Sequence, residues 1–74
     1  MEIDYKKIDE AALALLFLTV HEGDRAWKQL DWDILDRLHQ NELILDPVNK
    51  SSSVIFTEAG LKLAEHSFNK LFSR

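Results

Sequence analysis

The chain has 74 residues, nine basic and thirteen acidic, for a net charge of −4, and contains no cysteine. That length makes one domain, residues 1–74, near the lower limit at which a single core suffices, so self-association is an expectation from size alone. A disulfide framework and thiolate-held zinc are excluded, and the acidic balance argues against unspecific attraction to nucleic acid, where affinity comes mainly from neutralising phosphates.

Residues 1–10, MEIDYKKIDE, are charged and do not follow a signal-peptide plan. The longest apolar run, Ala11 to Leu18, has eight residues, where a bilayer span needs about 20. A cytoplasmic, bacterial protein is the expectation. Asp4 can cap a first helix reaching about His21. Ile8, Ala11, Ala12, Leu15 and Thr19 form one stripe of it at helical spacing. Leu13, Phe17 and Val20 form a second stripe, roughly opposite. A helix apolar on two faces is central to its own domain or shared with a partner. The second stripe is therefore either covered by the last helix or forms a homodimer seam through Leu13, Phe17 and Val20.

Gly23 ends this helix, and Asp24 is placed to cap a short second one with Ala26, Trp27 and Leu30 on its apolar side. Almost no loop separates it from a central helix capped by Asp31 and running from Trp32 to Asn41, an arrangement similar to a helix-turn-helix. Ile34, Leu35 and Leu38 face inward, while Asp33, Asp36, Arg37 and Gln40 face out. Asn41 is the expected left-handed stop, since Asn tolerates that conformation better than Glu42. Leu43–Leu45 and Val54–Phe56 are expected to pair as an antiparallel hairpin around the polar loop from Val48 to Ser53. Thr57 caps the closing helix, whose stripe is Leu61, Ala64, Phe68, Leu71 and Phe72. Lys62, Glu65, Asn69 and Lys70 face water.

The fold class expected is mainly α with a two-stranded antiparallel hairpin: helix, short helix, helix, hairpin wing, helix. Leu35 to Ile44 resembles the end of a winged-helix recognition helix, although Glu42 stands where that pattern usually has Gly. Phe56-Thr57-Glu58-Ala59-Gly60-Leu61 resembles the passage from the second wing strand into the last helix. Gly23-Asp24-Arg25-Ala26-Trp27-Lys28, Asp31-Trp32-Asp33 and Leu35-Asp36-Arg37-Leu38-His39 resemble a small bacterial family known as a domain of unknown function. That resemblance covers nearly the whole chain and implies a fold but no activity.

No constellation points to catalysis, and an enzyme is not expected. Asp31, Asp33 and Asp36 spread around a helix without a calcium-loop glycine, so capping accounts for them better than a metal. His21, His39 and His66 lie on different elements, and no nucleophile elbow or glycine-rich phosphate loop is present. No metal or other cofactor is expected. Trp27 and Trp32 are core residues or interface anchors. The fold resemblance carries an expectation of DNA contact through Arg37, Gln40 and the wing-tip Lys50 beside Ser51 to Ser53. Against it, Asp31 to Glu42 holds four acids and one arginine, net −3. The charges weigh more than the fold, so the expected partner surface is Asp33, Asp36, Arg37 and Gln40, contacting protein. A DNA-binding regulator is the alternative, and an acidic decoy of a nucleic-acid-binding protein a weaker one.

Overall fold

The computed structural model describes residues 1–74. Its elements are α1 (Tyr5–Leu18), β1 (Arg25–Trp27), α2 (Trp32–Gln40), β2 (Ser53–Ile55) and α3 (Glu58–Phe72). The layout is mainly helical with one two-stranded antiparallel sheet, the class expected from sequence, but two elements are built differently.

The first difference follows α1. The Asp4 carboxylate accepts from Lys7 N–H at 3.1 Å and starts the helix. The helix stops at Leu18 rather than near His21. Thr19 ends it, its hydroxyl donating to the Leu16 carbonyl at 3.1 Å. Glu22 and Gly23 then take φ of 52° and 87°, the left-handed pair that reverses a chain sharply. His21 and Arg25 exchange both backbone bonds across that reversal, at 2.7 and 3.0 Å. The expected short helix is therefore absent, and the chain leaves the turn extended as β1. Arg25, Ala26 and Trp27 pair with Ile55, Val54 and Ser53. Ala26 is buried between two more exposed neighbours, the alternation of a strand.

The second difference concerns Leu43–Leu45. Of the expected ladder the single Ile44–Phe56 bridge forms, flanked by bonds from Leu45 N–H to the Ile55 carbonyl at 2.8 Å and from Thr57 N–H to the Leu43 carbonyl at 3.0 Å. β2 lies between β1 and this ribbon, and Pro47, lacking an N–H, follows two residues later. From Asp46 the loop folds on its own side chains. Asp46 Oδ1 accepts from Val48 N–H at 2.9 Å, and Asn49 Oδ1 from Ser51 N–H at 2.8 Å.

The Asp31 carboxylate accepts from Asp33 N–H at 3.2 Å and opens α2. At the other end the left-handed residue is Glu42, φ 60°, rather than Asn41, φ −88°. Glu42 N–H reaches the His39 carbonyl and Leu43 N–H the Leu38 carbonyl, at 2.9 and 3.0 Å. This is the paired-bond helix stop, with the left-handed position one residue beyond the cap. Asn41 instead spends its amide on the Arg37 carbonyl at 2.9 Å.

Thr57 joins α2 to α3. Its hydroxyl donates to the Glu42 carbonyl at 2.7 Å and accepts from Gly60 N–H at 2.9 Å. Gly60 sits directly on Leu43: a Cβ there would lie 1.7 Å from the Leu43 carbonyl oxygen. α3 then packs along α1, with the Phe17 and Phe68 rings 5.4 Å apart. The core is Leu13, Leu16, Ala26, Leu35, Leu38, Ile44, Val54, Phe56 and Ala64. Of the stripe expected on α3, Ala64 is buried and Leu61 and Phe68 half-buried, while Leu71 and Phe72 remain exposed at the helix end. No helix is long and apolar enough to cross a membrane.

Candidate protein-interaction surface

α2 buries Leu35 and Leu38 and leaves Asp33, Asp36 and Gln40 exposed. Arg37, expected beside them on the outer face, is turned toward α1. Its Nε donates to Asp9 Oδ2 at 2.9 Å and its Nη2 to Asp9 Oδ1 at 2.8 Å. The two-point geometry suits a planar guanidinium and a carboxylate, and the Tyr5 ring lies 4.9 Å from the guanidinium carbon. The hydrogen-bonded Asp9 carboxylate holds the guanidinium pKa above its ordinary value. Arg37 is therefore a tie between helices. Asp9 lies 28 residues earlier, so no local spacing rule reveals the pair.

Beyond the end of α2 the surface dips into an open groove of about 490 Å³ between α2, Ile44–Asp46 and the start of α3. Ile44, Leu45 and Ala59 give it an apolar floor, and Glu42, Asp46 and Glu58 stand around it. Lys62 reaches Glu58 at 3.5 Å, both exposed, which offsets part of the Glu58 charge and leaves Glu42 and Asp46 as the unpaired acids at the groove. His39 is fixed at the rim, its Nδ1–H donating to the Ile44 carbonyl at 3.1 Å. With Asp33 and Asp36 on the same helix as His39, the acidic character extends beyond the groove along α2.

The cations that a DNA contact would need are mostly committed elsewhere. Arg25 lies 3.4 Å from Glu22. Lys28 Nζ donates into a nest of loop oxygens: the Pro47 and Ser51 carbonyls at 2.8 Å, Asn49 Oδ1 at 3.2 Å and the Asn49 carbonyl at 3.4 Å. Trp32 adds a ring face 5.6 Å from the same ammonium. Gln40 and Lys50 are exposed.

Among the other candidates, Leu13 is 1% exposed within the core. Phe17 and Val20 pack against that core, with Phe17 meeting Phe68 of α3. The proposed seam through Leu13, Phe17 and Val20 is thus filled from within the chain, because α3 needs an apolar helix to bury its own stripe. Trp27 and Trp32 are 44% and 52% exposed, not core residues. Trp27 stacks on His21 with ring centres 4.2 Å apart. A carbonyl only accepts, so His21 Nδ1 carries the hydrogen toward Thr19 O at 3.0 Å. Nε2 then accepts from the Ser53 hydroxyl at 3.2 Å. Ser53 is 7% exposed, so this contact binds the turn to the sheet rather than meeting solvent. Asp31 is spent on capping, and no three His, Asp or Glu side chains come together in a geometry that could hold a metal.

The model of the domain of unknown function DUF6429 matches residues 4–74. The chain belongs to this family. The match takes in all five elements of this DUF6429 chain, from the Asp4 cap to the end of α3. It is also 55% identical over 74 residues, 100% of both chains, to a curated relative from Sinorhizobium fredii (strain NBRC 101917 / NGR234) named "Uncharacterized protein y4hR". No solved structure matches it significantly.

Proposed function

We propose that this DUF6429 chain is a cytoplasmic binding module rather than an enzyme, an accessory subunit that receives a basic segment of a partner protein on the acidic side of α2. One observation carries the reading: Arg37 spends its hydrogen bonds on Asp9, so Asp33, though within Coulombic range of the guanidinium, and Asp36 stand on the exposed face with no ion pair of their own. The groove beside them supplies an apolar floor ringed by Glu42, Asp46 and Glu58. Such a surface fits a short amphipathic segment that alternates Lys or Arg with Leu. Charge complementarity of this kind speeds encounter and excludes wrong partners more than it adds affinity.

The same charges repel a duplex. The alternative, a DNA-binding regulator, draws on exposed Gln40 and Lys50, which leaves at most one free phosphate contact from the set expected. Titration with a Lys/Leu amphipathic peptide, a Glu/Leu peptide of equal length and a mixed-sequence duplex separates the two readings. The basic peptide should bind in the micromolar range and the other two not at all at physiological salt. Asp33→Asn with Asp36→Asn should weaken it about three- to tenfold, the range for two exposed ion pairs. Duplex binding that exceeds peptide binding and falls on Lys50→Ala would overturn the proposal in favour of a regulator.

A further inference from the structure

α1 has two apolar faces, and α3 covers one of them. On the other, Leu15 and Leu18 are 46% and 64% exposed. They project as a ridge, three residues apart, along one side of the helix. The ridge, with Leu16, forms one wall of a groove of about 280 Å³ between the end of α1, β1 and the following loop, completed by Thr19, Trp27, Gln29 and Leu30. No charged side chain lines it.

We propose that a second copy of this chain docks on this face, the Leu15–Leu18 ridge of each entering the Trp27–Leu30 groove of the other about a two-fold axis. Three observations select that occupant. Ridge and groove share one surface, so a two-fold axis can set each ridge against the other copy's groove. Each copy carries −4, and two like-charged molecules approach most cheaply where neither presents a charge. The sheet edge offers no backbone to an incoming strand. Trp27 N–H already donates to Thr19 Oγ1 at 3.2 Å, and His21 and Arg25 bond to each other, so the occupant must be a surface of side chains.

The area is small but sufficient. The half-exposed indole leaves on the order of 100 Å², and with the two leucines the patch is roughly 300 Å² of apolar surface. Two patches make about 600 Å², and a little over half of an interface is apolar. The contact therefore totals roughly 1,000 Å², the lower end for a specific complex, and the dimer should dissociate in the micromolar range. This face lies apart from the acidic groove and does not depend on it.

Sedimentation equilibrium of the full chain from about 5 μM to 1 mM tests the assignment. The wild type should fit a monomer–dimer equilibrium, and Trp27 emission should shift to the red on dilution. Leu18→Glu should raise the dissociation constant about 30-fold or more, the loss typical of a central anchor. It should also keep the far-UV circular dichroism of the wild type, because Leu18 contributes nothing to the core. Gln29→Glu, on an exposed loop, sets two like charges across the axis and should weaken the dimer independently of any effect on α1. A wild type that stays monomeric at 1 mM overturns the proposal, as does a dimer that persists in both variants.

Discussion

Two single residues set the joint between α2 and α3, and they act in opposite directions. Gly60 is there because α3 crosses the Leu43 backbone with no space for a methyl group. Gly60→Ala must push the helix off the carbonyl, and backbone cannot yield as a side-chain tip does. A loss of about 3 kcal/mol is expected, most of what a core this size supplies, visible as a large fall in the urea midpoint with loss of the two-state transition at 37 °C. Glu42 holds φ 60° without the freedom of glycine. Relief of that strain outweighs the added flexibility of the unfolded chain. Glu42→Gly should therefore stabilise by about 0.5–1 kcal/mol, raising the thermal midpoint by about 2–8 °C. The resemblance of Phe56–Leu61 to a strand-to-helix passage has its physical ground here, in a cap hydroxyl and a glycine that meet the end of α2.

At the scale of elements, the three helices with their caps and the strand at Val54–Ile55 were legible in the residues, whereas β1 was read as a short helix. Asp4, Asp31 and Thr57 each act on an amide two or three residues ahead, so local pattern suffices to find them. β1 is three residues long and owes its state to partners 26 to 30 positions away. Within its own window, Ala26, Trp27 and Leu30 fit a helix equally well. The two stripes of α1 were legible as well, but not which of them α3 would take. That choice is testable with two glutamates one residue apart. Phe17→Glu places a charge against Phe68 and should unfold the chain, a loss of about 3–5 kcal/mol, read as collapse of the helical circular dichroism signal. Leu18→Glu should leave that signal intact.

Across the whole molecule the acidic character was evident from composition, whereas the fate of the cations was not. Arg37 and Lys28 find oxygens 28 and 19 to 23 residues away, contacts that no periodicity encodes. The outward face is therefore more acidic than the net charge implies. The same long reach governs how the molecule is put together. α1 finds its cover in α3, which begins about 40 residues beyond the end of α1. On a ribosome adding roughly 5–20 residues each second, α1 waits about 2–8 s before synthesis of that cover even begins. Throughout that interval Phe17 has no Phe68 to meet, and α1 can rest only on β1 and α2. The Phe17 face of α1 is thus covered only once synthesis has passed through α3.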